Sequence, residues 1–126
     1  MIKQIKSSEI KSYIKENSNV VLLDVRTENE WKTLGKPNAE DLNSKTFFVT
    51  VSFDLSNWQI PDPNFVENVK KNISKDKTIL VMCAAGGRSL IAANLLEAEG
   101  YSTLNVSDGF SAVSYTHLRA HETSLH

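Results

Sequence analysis

Two unbroken apolar runs constrain the fold of this chain more than any other feature. "NVVLLDV" covers residues 19–25 and "KTILVMC" covers 77–83, and within them apolar side chains do not alternate with polar ones. A strand with one wet face alternates; a run that is apolar at successive positions has both faces covered. Such strands belong to the middle of a parallel sheet packed between two layers of helix. Each run closes on a residue with chemistry, Asp24 in the first and Cys83 in the second. In open α/β sheets, sites form beyond the carboxyl ends of the strands.

The segments between these runs supply the rest of an alternating pattern. Ile2 to Ile5 alternates and predicts a short edge strand. Ser7 is the expected N-cap of a helix from Ser8 to about Glu16, with Ile10, Tyr13 and Ile14 inward. In "TENEWKTLG" Thr27 is placed to cap a short helix, Glu30 stands at the capping-box position and Gly35 stops it. "TFFVTVSF" (46–53) predicts a strand, and "DLSNWQIPDPN" (54–64), with Pro61 and Pro63, predicts a loop. Phe65, Val66, Val69 and Ile73 share one face of a helix. "SLIAANLLEAE" (89–99) predicts a helix stopped by Gly100, followed by a strand at 102–106 and a turn at Asp108-Gly109. The fold expected is α/β: a mostly parallel central sheet with helices on both faces.

Composition limits the possible partners. A length of 126 residues suits one domain with a real core. The net charge is −1 and the basic residues are scattered, which argues against nucleic acid or an acidic membrane as partner. One cysteine forms no internal disulfide, "MIKQIKSSEI" is too polar for a signal peptide, and no apolar run is long enough to span a bilayer. The expected location is cytoplasmic.

The Cys83 loop has the strongest chemical signature. Ala84, Ala85, Gly86, Gly87 and Arg88 lie between a buried strand and a helix. Small residues let backbone N–H groups turn inward as an anion-binding nest, the helix N-terminus adds partial positive charge and Arg88 adds a full one. A thiol there ionises more readily than a free one, and the same cradle stabilises a negative adduct on the sulfur. A free cysteine at a strand end is otherwise often mere packing. Ser89 either starts the helix or reaches the sulfur. Asp24 and Arg26 either tie a strand to its neighbour as an ion pair or shape the potential of the site. Arg88 either contacts an anionic donor or braces the loop through Asp24 or a glutamate. Phe53 and Trp58 are candidates for an apolar wall.

"CAAGGRS", with its Ala-rich helix ending in Glu-Gly-Tyr, resembles the active-site segment of rhodanese-like domains, the single-domain sulfurtransferases. "VVLLDVRTENEWKTLGKPN" is similar to the family's Asp-Val-Arg segment, and "LNVSDGF" to the segment after its last strand. The resemblance covers residues 1 to about 112. It implies Cys83 as the catalytic nucleophile and residues Ala84 to Ser89 as the loop that binds substrate and persulfide, with Asp24 and Arg26 in support. It further implies no metal or organic cofactor, a small-molecule or protein persulfide as sulfur donor, and a thiol as acceptor. Four residues separate Cys83 from Arg88, whereas phosphatases and arsenate reductases of this kind have five; the shorter loop suits one sulfur atom rather than a tetrahedral phosphate. An inactive protein-interaction module and a cysteine-dependent phosphatase are the competing readings. Where many members have Gly-His-Ile-Pro-Gly-Ala, this chain has "GKPNAED".

The ending departs from the family. "VSYTHLRAHET" (113–123) is similar to one reading frame of a sequencing adapter, and the family's Trp-bearing C-terminal helix has no counterpart. Residues 1–112 are therefore read as the domain and 113–126 as a non-native tail. His117, His121 and His126 lie in that tail, and their spacing does not match a His-Glu-x-x-His zinc helix.

Overall fold

The computed structural model describes residues 2–37, 44–54 and 57–111, with only the backbone of 54 and 57–60. Residues 113–126 lie outside the described residues, as does the domain boundary expected before them. Strands β1 (Lys3–Ile5), β2 (Val20–Asp24), β3 (Lys45–Phe48), β6 (Thr78–Met82) and β7 (Ser102–Val106) form one parallel sheet in the order β1-β7-β6-β2-β3. β4 (Phe53–Asp54) and β5 (Asn57–Pro61) make a small antiparallel pair. The helices are α1 (Ile10–Glu16), α2 (Glu28–Leu34), α3 (Asn64–Asn72) and α4 (Gly87–Ala98).

The two apolar runs lie side by side, Leu22 opposite Leu80 and Asp24 opposite Met82. Successive side chains on them enter opposite cores. Val21, Leu23, Val25, Ile79, Val81 and Cys83 pack with Phe65, Val69 and Ile73 near α3 and with Ala92, Ala93 and Leu96 of α4. Val20, Leu22, Leu80 and Met82 pack with Ile10 and Ile14 of α1 and with Phe110. Leu22, Leu23, Ile79 and Leu80 are fully buried, each contributing roughly 1.5–3 kcal/mol of transfer free energy. In α4 the buried set Ser89, Ala92, Ala93 and Leu96 follows the helical repeat, and its small side chains bring the helix axis close to the sheet.

Four expectations need correction. The first helix opens with a 3-10 turn at Ser7–Glu9, and Lys6, not Ser7, holds the cap position. Ser7 instead donates its N–H and hydroxyl to the Asp108 carboxylate (2.8 and 2.9 Å), which ties this helix to the last turn. The strand expected over 46–53 ends at Phe48, because the chain then follows the loop beyond β2: Val49 N–H donates to Asp24 O and Val51 N–H to Val25 O. The expected loop at 54–64 contains β5, paired with β4. Finally, α4 starts at Gly87 rather than Ser89, because the chain reverses at Gly86, which becomes the N-cap.

Candidate active site

Cys83 follows the last residue of β6, and its carbonyl accepts from Phe110 N–H at 2.7 Å. Its side chain faces the α3/α4 core and is almost fully buried. The chain then reverses at Gly86, whose φ of +102° favours glycine. A Cβ there would stand 2.2 Å from the Ser107 carbonyl oxygen, so a side chain is excluded twice over. This reversal turns Gly86 N–H onto Cys83 Sγ at 3.1 Å and makes Gly86 the N-cap of α4. The helix accordingly begins at once, and Arg88 rides on its first turn. Gly109 plays the matching part from the other side: its φ is +67°, and a Cβ would stand 2.3 Å from the Ala84 carbonyl oxygen. The last turn thus lies directly against the cysteine loop, with Ser111 N–H donating to Ala84 O.

Two effects compete at the thiol. Burial acts to raise its pKa, but the Ser89 hydroxyl and the N–H groups of Ser89, Ala85 and Gly86 outweigh it, and Cys83 lies below the ordinary thiol value. Ser89 is fully buried in the first turn of α4. Its hydroxyl donates to Asn105 Oδ1 at 2.5 Å. Asn105, on β7, donates through Nδ2 to Gly86 O (3.1 Å) and to Gln4 Oε1 (2.9 Å). Those two acceptors orient the amide, leaving Oδ1 toward Ser89. The sequence reading missed Asn105. The available signal was an amide two residues after Thr103, on the same side of an otherwise apolar strand end.

The charged residues pair tightly. Arg88 meets Glu30 with two bonds, 2.9 Å to Oε1 and 2.8 Å to Oε2. Arg88 is the main cause that lowers Glu30 to about 2, against an opposing effect of burial. Glu30 also accepts from Thr27 N–H at 2.9 Å, completing the expected capping box of α2. Of the two roles open to Arg88, the geometry corresponds to bracing through a glutamate. Asp24 and Arg26 form a fully buried pair: Nε lies 3.1 Å from both carboxylate oxygens and Nη2 lies 2.9 Å from Oδ2. Arg26 Nη2 also donates to Gly35 O (2.9 Å), and the guanidinium lies 3.9 Å from the centre of the Phe110 ring. This pair locks the β2–α2 loop and presents no charge to solvent. Phe53 packs against the α3/α4 core; the Trp58 side chain lies outside the described residues.

The family model for the rhodanese-like domain matches residues 7–115, most of the chain. The chain belongs to the rhodanese-like domain family. An uncharacterized protein of Rickettsia prowazekii is 34% identical over 111 residues, covering 87% of this chain and 85% of its own length. The crystal structure of Rv0390 from M. tuberculosis is 28% identical with a TM-score of 0.71, covering 86% of this chain and 79% of that one. A rhodanese-like domain protein from Staphylococcus aureus shares the fold, with a TM-score of 0.64 at 22% identity over 96% of this chain and all of its own. In this rhodanese-like domain Cys83, the Gly86 N–H that points at it and the Ser89–Asn105 pair all gather at the carboxyl edge of the sheet. No described helix is long and apolar enough to cross a membrane.

Proposed function

We propose that this domain is a sulfurtransferase that carries sulfane sulfur on Cys83. The observation that carries the reading is the donation of Gly86 N–H to Sγ at 3.1 Å, within a set of donors that lowers the thiol below its ordinary pKa. A stabilised thiolate is the species that attacks sulfur.

In the first half-reaction the Cys83 thiolate bonds to the outer sulfur of a thiosulfate or persulfide donor. The donor's S–S bond breaks, and sulfite or a thiolate leaves with the electron pair. The new Cys83 persulfide places its terminal sulfur among the N–H groups of the 84–89 loop, where partial positive charge offsets its own. In the second half-reaction an acceptor nucleophile, cyanide in an assay or a thiol, bonds to that sulfur and restores the thiolate. The sulfur rides on the protein, so this reading calls for no metal or organic cofactor.

Intact mass after incubation with thiosulfate or a small persulfide tests the reading. A gain of one sulfur in the wild type, absent in Cys83→Ser and reversed by cyanide, is the expected result. A protein that gains no sulfur from either donor would be a binding module with an idle cysteine. Turnover of p-nitrophenyl phosphate instead would make it a phosphatase.

A further inference from the structure

The cationic side chains at the site are each paired with a carboxylate, and the unpartnered Arg26 Nη1 is buried away from solvent. Arg88 spends both terminal nitrogens on Glu30. Arg26 is fully buried against Asp24. The two residues that follow the cysteine, Ala84 and Ala85, bear no charge, and Ala85 is exposed at the loop mouth. Lys36, in the α2–β3 connection, lies 5.3 Å from the centre of the Phe48 ring. Phe48 is on the edge strand β3, two strands from β6 and so roughly 10 Å across the sheet. Asp24, Arg26, Glu30 and Arg88 sum to zero charge, and an ionised Cys83 makes the site net negative.

The nest does not change this balance for a bulky anion. Its Gly86 N–H points at Sγ, and the rest of the donor must stay outside, beside the exposed Ala85 and the Arg88 guanidinium already paired with Glu30. A sulfonate group carried there meets an Arg88 guanidinium already engaged by Glu30 and is repelled by the thiolate.

We infer that the site selects a small organic persulfide of low charge over the thiosulfate dianion as its sulfur donor, an inference that rests on the sulfur-transfer reading above. The transfer balances without a further reactant. Cys83 Sγ bonds to the terminal sulfur of R–S–SH, the donor S–S bond breaks, and the pair leaves on the inner sulfur as a thiolate. The proton stays with the transferred sulfur. Glu30 is the residue that holds this selectivity, because its carboxylate withdraws Arg88 from the donor.

The test follows the rate of Cys83 sulfur gain by intact mass with two donors, thiosulfate and 2-hydroxyethyl persulfide, at low and high salt. It is run on the wild type and on Glu30→Gln, in which the glutamine keeps the capping-box contact and removes the charge. The wild type is expected to react at least about tenfold faster with the persulfide, the scale of rate change that local charge produces. Added salt should narrow that ratio by screening the repulsion, and Glu30→Gln should narrow it by freeing Arg88. Faster reaction with thiosulfate, or a ratio unmoved by both salt and the variant, would overturn the inference and leave sulfur transfer standing. No adduct with either donor would remove sulfur transfer itself and this selectivity with it. The salt arm needs only the wild type, so a Glu30→Gln protein that folds poorly leaves the test intact.

Discussion

The Ser89 hydroxyl donates to Asn105 Oδ1 at 2.5 Å, joining the first turn of α4 to the neighbouring strand β7. The same amide holds the Gly86 carbonyl at 3.1 Å. The peptide that aims an N–H at Cys83 is therefore held from behind by a residue that touches no sulfur. Replacing Asn105 with leucine leaves the buried Ser89 hydroxyl without its acceptor and the Gly86 carbonyl without its donor. Chemical denaturation should show a loss of about 1–3 kcal/mol, the cost of stranding a buried polar group.

Ser89 itself affects the thiol directly. Burial is the largest single effect on Cys83 and raises it; the Ser89 hydroxyl, whose one proton goes to Asn105 Oδ1 beside the neutral thiol, is the foremost of the groups that lower it once that proton turns onto the ionised sulfur. Ser89→Ala should shift the midpoint of the pH profile for iodoacetamide alkylation upward, because the ionised sulfur loses a hydrogen-bond donor. The wild-type midpoint should lie below that of a free thiol. Coincidence of the two proteins' profiles would remove Ser89 from the electrostatics of the site.

The Glu30–Arg88 pair predicts a pH dependence of stability. Glu30 titrates at about 2 when folded, below its ordinary value of 4.5. A carboxyl lowered in the folded state contributes above its unfolded pKa and loses that contribution as pH falls toward the folded one. The pair is partly exposed, with side-chain exposures of 32% for Arg88 and 21% for Glu30, so solvent screening limits it to about 1 kcal/mol. Glu30→Gln should be less stable by that amount at neutral pH. In thermal melts the gap should close as pH falls from about 4.5 to about 2.

Two glycines separate steric need from convenience. Gly109→Ala puts a methyl 2.3 Å from the Ala84 carbonyl at a φ of +67°. It should cost about 2 kcal/mol or more and slow Cys83 alkylation, because the loop must give way. Gly87 has nothing within 4 Å of an added Cβ and is the first residue of α4. Gly87→Ala should be neutral or stabilising by up to about 1 kcal/mol in the same denaturation assay. A Gly109→Ala protein as stable and reactive as the wild type would show that the last turn does not support the loop.

Arg26 is a steric and electrostatic lock rather than a free charge. Arg26→Leu leaves the fully buried Asp24 without its ion-pair partner, though the backbone N–H of residue 26 still donates to Oδ1 at 3.0 Å. The expected loss is about 3–5 kcal/mol by denaturation, the range for an uncompensated buried charge. A loss under about 1 kcal/mol would mean that water or another donor takes over the carboxylate.

The parallel sheet was legible because its evidence is local. Val20–Asp24 and Thr78–Met82 are apolar on both faces, and that pattern has few other uses than a covered central strand. The cap of α2 was legible too, since Thr27 and Glu30 lie three residues apart and meet as a capping box would require. Ser7 misled because its hydroxyl finds Asp108, 101 positions away, in place of its own helix. The stretch 46–53 misled because β propensity continues past Phe48 while the backbone leaves the sheet to follow the loop beyond β2.

The sequence by itself determined which atoms are available: one thiol, a loop of small residues that permits inward amides, and a helix to follow it. Periodicity and turn chemistry act over a few residues, so they locate such a loop without naming its neighbours. The tertiary structure alone decided that Arg88 is held by Glu30 across 58 positions, that Ser89 is held by Asn105 across 16, and that Gly109 backs the loop at Ala84. Those contacts exist because the parallel crossovers bring the ends of β2, β6 and β7 to one edge, where side chains distant along the chain become hydrogen-bond partners.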